Sequence, residues 1–236
     1  MNGIPNDMSA IDDLLAEIFD GAKPVFYSEF VEWMRDSRRF RSFAGDYRAK
    51  IRSKLRQIQN LDNALDLRAE LETAALLLRD DRFTLEYEKF AATRQRAPDF
   101  TVTFKTHTPF NVEVRRIRPL HGEDADARAA KLVGVLCDKV EQMPSGVVNL
   151  LWLTGEAALS SEDVTRAAVT LRGLAERKNE EFFTRRGFES AAEFLKHYSR
   201  MSGIVLHKPG EGIVWNNPLA RHKAPPEITS AIQRLT

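Results

Sequence analysis

The sequence predicts an α/β fold with a mixed sheet, in which one stretch of the chain has the element order α, β, β, β, α, β. Three observations lead to this class. Apolar residues recur at helical spacing over 67–78, and three later segments alternate apolar with polar residues as half-buried strands do. A second helical pattern then leads into the apolar run 146–153. Such a run is typical of a strand covered on both faces.

Residues 1–66 are predicted to form an N-terminal helical region. The first apolar residues recur at helical spacing: Ile11, Leu14, Leu15 and Ile18. Ser9 is the predicted N-cap, because a serine ahead of acidic first-turn residues commonly begins a helix. A second helix is predicted from Ser28, and a third is predicted around Ile51 and Leu55.

Charge is distributed unevenly along this region. Residues 1–34 contain seven acids and one lysine, whereas residues 35–56 contain nine basic residues and two acids. The basic segment is interpreted either as a phosphate-facing surface or as a helix face that pairs with the acidic segment. The net charge of +1 for the whole chain favours neither interpretation.

Residues 67–153 are predicted to form the core. The three predicted strands have apolar side chains at every second position: Phe83, Leu85 and Tyr87; Phe100, Val102 and Phe104; Phe110, Val112 and Val114. A helix follows over 123–143, and 146–153 is the fourth strand. Cys137 lies in the apolar pattern of this helix, so it is predicted to be a core residue rather than a nucleophile.

Residues 154–236 are predicted to be an extension packed on the core, because the linkers in this region are short. Its first helix is capped by Ser160 or Ser161, and a second helical pattern and two short strands follow. Pro225 and Pro226 are predicted to open a final helix.

The central hairpin brings charged residues together. Asp99, Glu113 and Arg115 have odd numbers, whereas the apolar residues of both strands have even numbers. Opposite residues of an antiparallel pair share a face, so the apolar sets meet only if paired numbers sum to an even number. Examples are Thr101 opposite Glu113 and Asp99 opposite Arg115, with an odd loop such as residues 106–108. The odd-numbered face then carries one polar cluster.

Two converging carboxylates repel each other and raise each other's pKa unless a cation lies between them. Oxygen ligands with room for water and phosphate suit Mg²⁺ or Mn²⁺. Asp99 and Glu113 are therefore the candidate metal ligands. Glu70 lies on the apolar stripe of the preceding helix and is predicted to face inward as a third acid, while Glu72 is predicted to be solvated.

Pro98-Asp99 followed by Glu113-Val114-Arg115 resembles the signature of the PD-(D/E)XK nuclease superfamily, which has a restriction-endonuclease-like fold. The resemblance covers about residues 67–153. It implies that Asp99, Glu113 and the backbone carbonyl of Val114 bind one or two divalent ions. It also implies that Glu70 joins the catalytic site.

The residue after Val114 departs from the signature, because Arg115 stands where the family usually has lysine. Arginine does not deprotonate, so Arg115 is a candidate for holding the scissile phosphate rather than for general-base catalysis. Lys105 and Lys131 are the nearby lysines that could replace the missing one. With Arg116 they are also the candidate nucleic-acid-binding residues.

The resemblance implies a hydrolase: a Mg²⁺- or Mn²⁺-dependent endonuclease or phosphodiesterase that acts on nucleic acid, with DNA favoured over RNA. The alternative is a catalytically inactive module of the same fold that binds nucleic acid or a protein partner. A purely structural interpretation of Asp99, Glu113 and Arg115 is an ordinary charge cluster on an exposed sheet face. The sequence leaves the oligomeric state open, including a homodimer.

Several other classes find no support in the sequence. It has no apolar run long enough for a membrane span and no apolar leader. A single cysteine excludes an intrachain disulfide and favours a cytoplasmic protein. The five histidines form no zinc motif, and no glycine-rich nucleotide-cofactor motif occurs.

Overall fold

The computed structural model describes residues 5–89, 98–118, 124–155, 159–208 and 210–235. In these ranges the helices are α1 (Pro5–Phe19), α2 (Tyr27–Asp36), α3 (Arg38–Asp46), α4 (Arg48–Arg56), α5 (Leu61–Leu77), α6 (Ala125–Val140), α7 (Ser161–Glu176), α8 (Glu180–Thr184), α9 (Ala191–Tyr198) and α10 (Pro226–Leu235). The strands are β1 (Phe83–Tyr87), β2 (Phe100–Phe104), β3 (Thr108–Ile117), β4 (Val148–Gly155), β5 (Gly203–Lys208) and β6 (Glu211–Asn216).

These strands form one open mixed sheet with the order β1-β2-β3-β4-β5-β6. β3, β4 and β5 are parallel, whereas β1–β2, β2–β3 and β5–β6 pair antiparallel. The predicted α/β class is confirmed, and α5, β1, β2, β3, α6 and β4 follow one another in the predicted order. β5 and β6 continue the same sheet at the β4 side.

The sheet separates two clusters of buried apolar residues. Val112 and Trp152 belong to the cluster that includes α1 to α5 and α10. Leu151 and Leu153 belong to the cluster that includes α6 to α9. Neighbouring strand residues point to opposite faces, so the apolar run in β4 is explained by burial on both sides.

The β2–β3 hairpin has the predicted parity but a different exact register. Thr101 pairs with Asn111, not with Glu113, and the last pair before the loop is Phe104 with Thr108. The loop is therefore residues 105–107, one residue earlier than predicted. Moving an odd loop by one residue shifts every pairing by two, which keeps each side chain on its predicted face.

Two helix ends test the capping predictions. The first helix begins at Pro5, so Ser9 lies inside it and is not its N-cap. The sequence did not predict α3, which Ser37 caps by accepting a hydrogen bond from the Phe40 amide. Ser160 caps α7 in a reciprocal capping box, as one of the two predictions had it.

Two further sequence predictions concern the burial of Cys137 and membrane-spanning helices. Cys137 is buried, and its burial raises the pKa of its thiol to about 12, which agrees with a core role. In the ranges that the structure describes, every helix is too short or too polar to cross a bilayer.

A buried histidine on β5 makes the fold sensitive to acid. His207 has an Nδ1 atom without a hydrogen-bond partner among the described residues, and its ring lies 5.9 Å from that of Trp152. Burial, with the positive charges of Arg79 and Arg68, lowers the pKa of His207 to about 4. An unfolded histidine titrates near 6.5, so the unfolded state binds the proton first and stability is lost as the pH falls from about 6.5 to 4.

We expect His207 to cost the fold about 3 kcal/mol at pH 4 relative to pH 7. The measurement is urea unfolding of the wild type and His207→Gln across this range. The His207→Gln variant should lack the fall in unfolding free energy that His207 causes between about pH 6.5 and 4. Plots of unfolding free energy against pH that run parallel for the two proteins would contradict the prediction.

Candidate metal centre

Three carboxylates meet where β1 ends, β2 begins and α5 crosses β3. Glu70, Glu88 and Asp99 each offer an oxygen, and these oxygens lie within 4.8 Å of one another. We call these three residues the acidic cluster. All three side chains are partly buried.

Asp99 is held at the cluster by the neighbouring strand. Its Oδ2 accepts a hydrogen bond of 2.7 Å from the amide of Val114, and its own carbonyl accepts one of 2.7 Å from the amide of Glu88. Glu113, the other predicted metal ligand, is not one of the three carboxylates of the acidic cluster, but its charge contributes to raising the pKa of Asp99.

Val114, whose carbonyl is a predicted metal ligand, lies on β3 with its amide on the Asp99 carboxylate. Pro98 directly precedes Asp99, at the bend before β2.

Glu70 projects from α5 toward the end of β1, in agreement with its predicted inward facing. Its Oε2 accepts hydrogen bonds of 2.5 Å from the Tyr87 hydroxyl and from Lys54 Nζ. The prediction that Glu72 is solvated is wrong, because its side chain is only 19% exposed and is paired with Arg68.

Glu88 follows β1 with a φ of 45°, a left-handed conformation that is uncommon for residues other than glycine. Its Oε1 lies 2.6 Å from Lys54 Nζ, and its Oε2 lies 3.6 Å from Lys50 Nζ. Lys50 and Lys54 are one helical turn apart on α4. This helix therefore delivers two ammonium groups to the acidic cluster.

Glu113 lies beside the cluster on β3 and is buried, with 4% of its surface exposed. Its Oε1 accepts a hydrogen bond from Lys139 Nζ of α6. Its Oε2 is buried without a partner among the described residues. A carboxylate oxygen in this position is costly unless a cation or a water molecule satisfies it.

The electrostatics show that these groups interact. Desolvation, followed by the charges of Glu70 and Glu113, raises the pKa of Asp99 well above its usual value. Desolvation also raises the pKa of Glu113, although Lys139 opposes the shift. Burial alone would lower the pKa of Lys54, but its contacts with Glu70 and Glu88 raise it. The carboxylates are thus crowded, and lysines compensate them only in part.

This set of ligands fits a hard divalent cation. Carboxylate oxygens are the groups that Mg²⁺ and Mn²⁺ prefer. The acidic cluster could hold such an ion, with the unsatisfied Oε2 of Glu113 beside it.

Comparison with known proteins gives no match. No family model, no curated protein and no solved structure matches the chain. Any functional assignment therefore depends on the chemistry of the site.

The other predicted site residues lie in different surroundings. Arg115 is half-buried on β3, on the same face as Glu113, and has no ion pair among the described residues. Arg116 points to the opposite face, where it pairs with Asp62 and Asp66 of α5, and its side chain is 8% exposed. A phosphate could reach the Arg116 guanidinium only by displacing these acids.

Neither predicted replacement lysine reaches the acidic cluster. Lys105 lies in the hairpin loop at the far end of β2 and pairs with Glu227 of α10 at 2.6 Å. Lys131 is partly exposed on α6. It is Lys139, two turns further along α6, that contacts Glu113.

Sequence reasoning missed Lys54, Glu88 and Lys139. Lys139 falls three residues after Leu136 on the buried stripe of α6, and a charge on an apolar stripe is a usable signal. Glu88 gave no signal, because the connection between β1 and β2 is long and its length does not determine which residue of β1 lies beside Asp99. Lys54 could not be placed without the packing of α4 on the end of β1.

Part of the basic segment pairs with the acidic segment, as one of the two interpretations predicted. Arg48 pairs with Glu17, and Arg52 and Arg56 pair with Asp20, so one face of α4 meets the acidic segment of α1. The lysines at positions 50 and 54 point instead to the acidic cluster.

Proposed function

We propose that this chain is a divalent-metal-dependent nuclease of the PD-(D/E)XK type that hydrolyses phosphodiester bonds, with DNA as the favoured substrate. The observation that carries the proposal is the acidic cluster with the unsatisfied Oε2 of Glu113 beside it. Buried carboxylate oxygens ordinarily have a partner, and a bound cation would supply one for Glu113 Oε2.

The element order and the hairpin add support. The Pro98-Asp99 pair directly precedes β2, and the Glu113-Val114-Arg115 stretch lies on its antiparallel neighbour β3, between helices α5 and α6. This is the placement that the resemblance implies. The cytoplasmic location favoured by the lone cysteine belongs to the same proposal.

Glu70, Glu88, Asp99 and Glu113, with the Val114 carbonyl, would hold Mg²⁺ or Mn²⁺. When bound, the ion would activate water and offset charge on the leaving oxygen. The Val114 amide orients Asp99, and the Tyr87 hydroxyl orients Glu70, so the ligands are positioned before the ion arrives.

Arg115 is proposed to bind the scissile phosphate, because its guanidinium is on the Glu113 face and is permanently charged. Lys54 and Lys139 pair with Glu70 and Glu113 and offset part of the carboxylate charge. Neither lysine occupies position 115, where the family usually has one.

A second candidate is a catalytically inactive module of this fold that binds nucleic acid or a protein partner. The observation in its favour is that Lys54 and Lys139 already neutralise part of the carboxylate charge. In that case the lysines would be the permanent counter-ions of the site.

Calorimetric titration with Mn²⁺, combined with a plasmid and oligonucleotide cleavage assay, tests the proposal. We expect Mn²⁺ binding and metal-dependent cleavage, with both lost in Asp99→Ala. Binding of Mn²⁺ without cleavage would favour the inactive module. Absence of both would reject the metal centre.

Lys54 gives a separate prediction, because its ammonium contacts two oxygens of the acidic cluster. Two cations that share ligand oxygens compete, so Lys54→Met should bind Mn²⁺ about tenfold more tightly than the wild type. The matched control is Lys196→Met, which removes an exposed lysine from α9. Unchanged or weaker Mn²⁺ binding by the Lys54 variant would show that this lysine does not compete with the ion.

A further inference from the structure

Two cavities adjoin along α4 and lead to the acidic cluster. The first, of about 370 Å³, lies between α4 and Glu17 of α1. The second, of about 650 Å³, lies at the C-terminal end of α4 and reaches Lys54 and Glu70. Arg56 and Gln57 line both cavities. We call the combined depression the α4 groove.

One wall of the α4 groove carries regularly spaced arginines. Arg48, Arg52 and Arg56 are four residues apart on α4 and all line the first cavity. Residues at this spacing lie on one helix face, about 6 Å apart along the axis. Three guanidinium groups therefore form a row that ends beside the second cavity, which Glu70 of the acidic cluster also lines.

The arginines of this row are available to an anionic ligand. Their side chains are 50%, 34% and 64% exposed in chain order, and their acidic partners Glu17 and Asp20 are 52% and 60% exposed. Exposed pairs of this kind contribute little stability. A phosphate can replace either carboxylate, and the fork of arginine suits phosphate oxygens. The Nε atom of Arg52 is in addition buried without a partner among the described residues.

The remaining lining indicates how a nucleic acid would be recognised. Among the described residues that line the two cavities none is aromatic, so base stacking is not provided. Amide side chains at Gln57, Gln59 and Asn63 line the second cavity instead. Binding in the α4 groove should therefore depend on phosphate contacts and on salt, and little on base sequence.

We propose that the α4 groove binds the phosphate backbone of one nucleic-acid strand through Arg48, Arg52 and Arg56 and leads it to the acidic cluster. This inference rests on the proposed nuclease function and names the path that its substrate takes. The N-terminal helices, which the PD-(D/E)XK resemblance does not cover, thereby acquire a role in substrate binding.

The test is fluorescence anisotropy with labelled single-stranded and duplex oligonucleotides, without divalent metal, over a series of salt concentrations. Arg48→Gln/Arg56→Gln should weaken single-strand binding about tenfold at low salt and reduce the slope of log affinity against log salt by about 1.4, that is, about 0.7 for each phosphate that the variant no longer neutralises. The matched control is Arg172→Gln/Arg185→Gln, which removes two arginines of similar exposure that pair with Glu176 and Glu181.

A gain of binding removes the ambiguity of a misfolded variant. Asp20→Asn frees Arg52 and Arg56 from their acidic partner and should tighten single-strand binding about threefold. Equal affinities for the wild type, the groove variants and the control would overturn the proposal, as would a preference for duplex that the groove variants leave unchanged.

Mn²⁺ titration of the same proteins separates this proposal from the nuclease assignment. The groove variants should bind Mn²⁺ as the wild type does, because none of these arginines contacts the acidic cluster. If the groove variants still cleave and bind oligonucleotides as the wild type does, the proposal of strand binding in the α4 groove is rejected, but the nuclease function is not. If the wild type binds oligonucleotides in the α4 groove but binds no Mn²⁺, the nuclease function is rejected, but strand binding in the groove is not.

Discussion

Asp99→Asn is expected to stabilise the metal-free protein by about 1–2 kcal/mol and to abolish metal-dependent activity. Desolvation and the neighbouring Glu70 and Glu113 raise the pKa of Asp99, so its ionised form is unfavourable in the folded state. Asparagine keeps an oxygen for the Val114 amide but carries no charge. The stabilisation should be greatest at neutral pH and shrink as acid protonates the wild-type carboxyl.

Asp99→Asn should also cause a large loss of metal-dependent cleavage. A neutral amide is a weak ligand for Mg²⁺ or Mn²⁺, and we expect cleavage to fall at least about 100-fold. Thermal unfolding with and without Mn²⁺ reports both effects: the ion should raise the melting temperature of the wild type but not of the variant. Asp81→Asn, which changes an exposed aspartate between α5 and β1, is the control. A variant less stable than the wild type without metal would contradict the predicted repulsion.

Lys139→Met is expected to destabilise the protein by about 3–5 kcal/mol at pH 7. Lys139 is the ammonium group that pairs with the buried Glu113 carboxylate, and the side chains of the pair are 15% and 4% exposed. Without the ammonium, Glu113 must remain an uncompensated charge or take up a proton. The double variant Lys139→Met/Glu113→Gln removes both charges and should recover most of the lost stability.

The pH dependence of the Lys139 variant follows from the sign of the shift. Burial raises the pKa of Glu113 in the folded state, and loss of Lys139 raises it further. A raised folded-state pKa means that the penalty is present at neutral pH and disappears as the pH falls toward 4.5, the ordinary value of this group. Urea unfolding at several pH values measures it, with Lys131→Met on the same helix as the control. A constant difference across pH would contradict the assignment to Glu113.

Much of the fold and part of the site could be predicted from local sequence. Alternation in β2 and β3 determines which side chains share a face, and an odd loop preserves that assignment when it moves by one residue. Asp99 and Glu113 are joined by a single hairpin, so their proximity follows from pairing alone. The inward facing of Glu70 follows from helical periodicity in α5.

The remaining site residues could not be predicted because they come from elements distant in sequence. Lys54 reaches the cluster from α4, and Lys139 reaches Glu113 from α6. Periodicity assigns a residue to a helix face, but it does not say which strand end that face will cover. The exact hairpin register could not be predicted either, because loops of residues 105–107 and of residues 106–108 have equal length and satisfy the same alternation.

The sequence by itself determined the α/β class, the order of elements from α5 to β4 and the face on which each hairpin residue lies. All of these depend on backbone periodicity. Only the tertiary structure decided that Glu88 completes the acidic cluster, that Lys54 of α4 pairs with it and that Lys139 of α6 pairs with Glu113. The physical reason is that helix packing sets these distances, and packing depends on contacts among residues far apart in the chain.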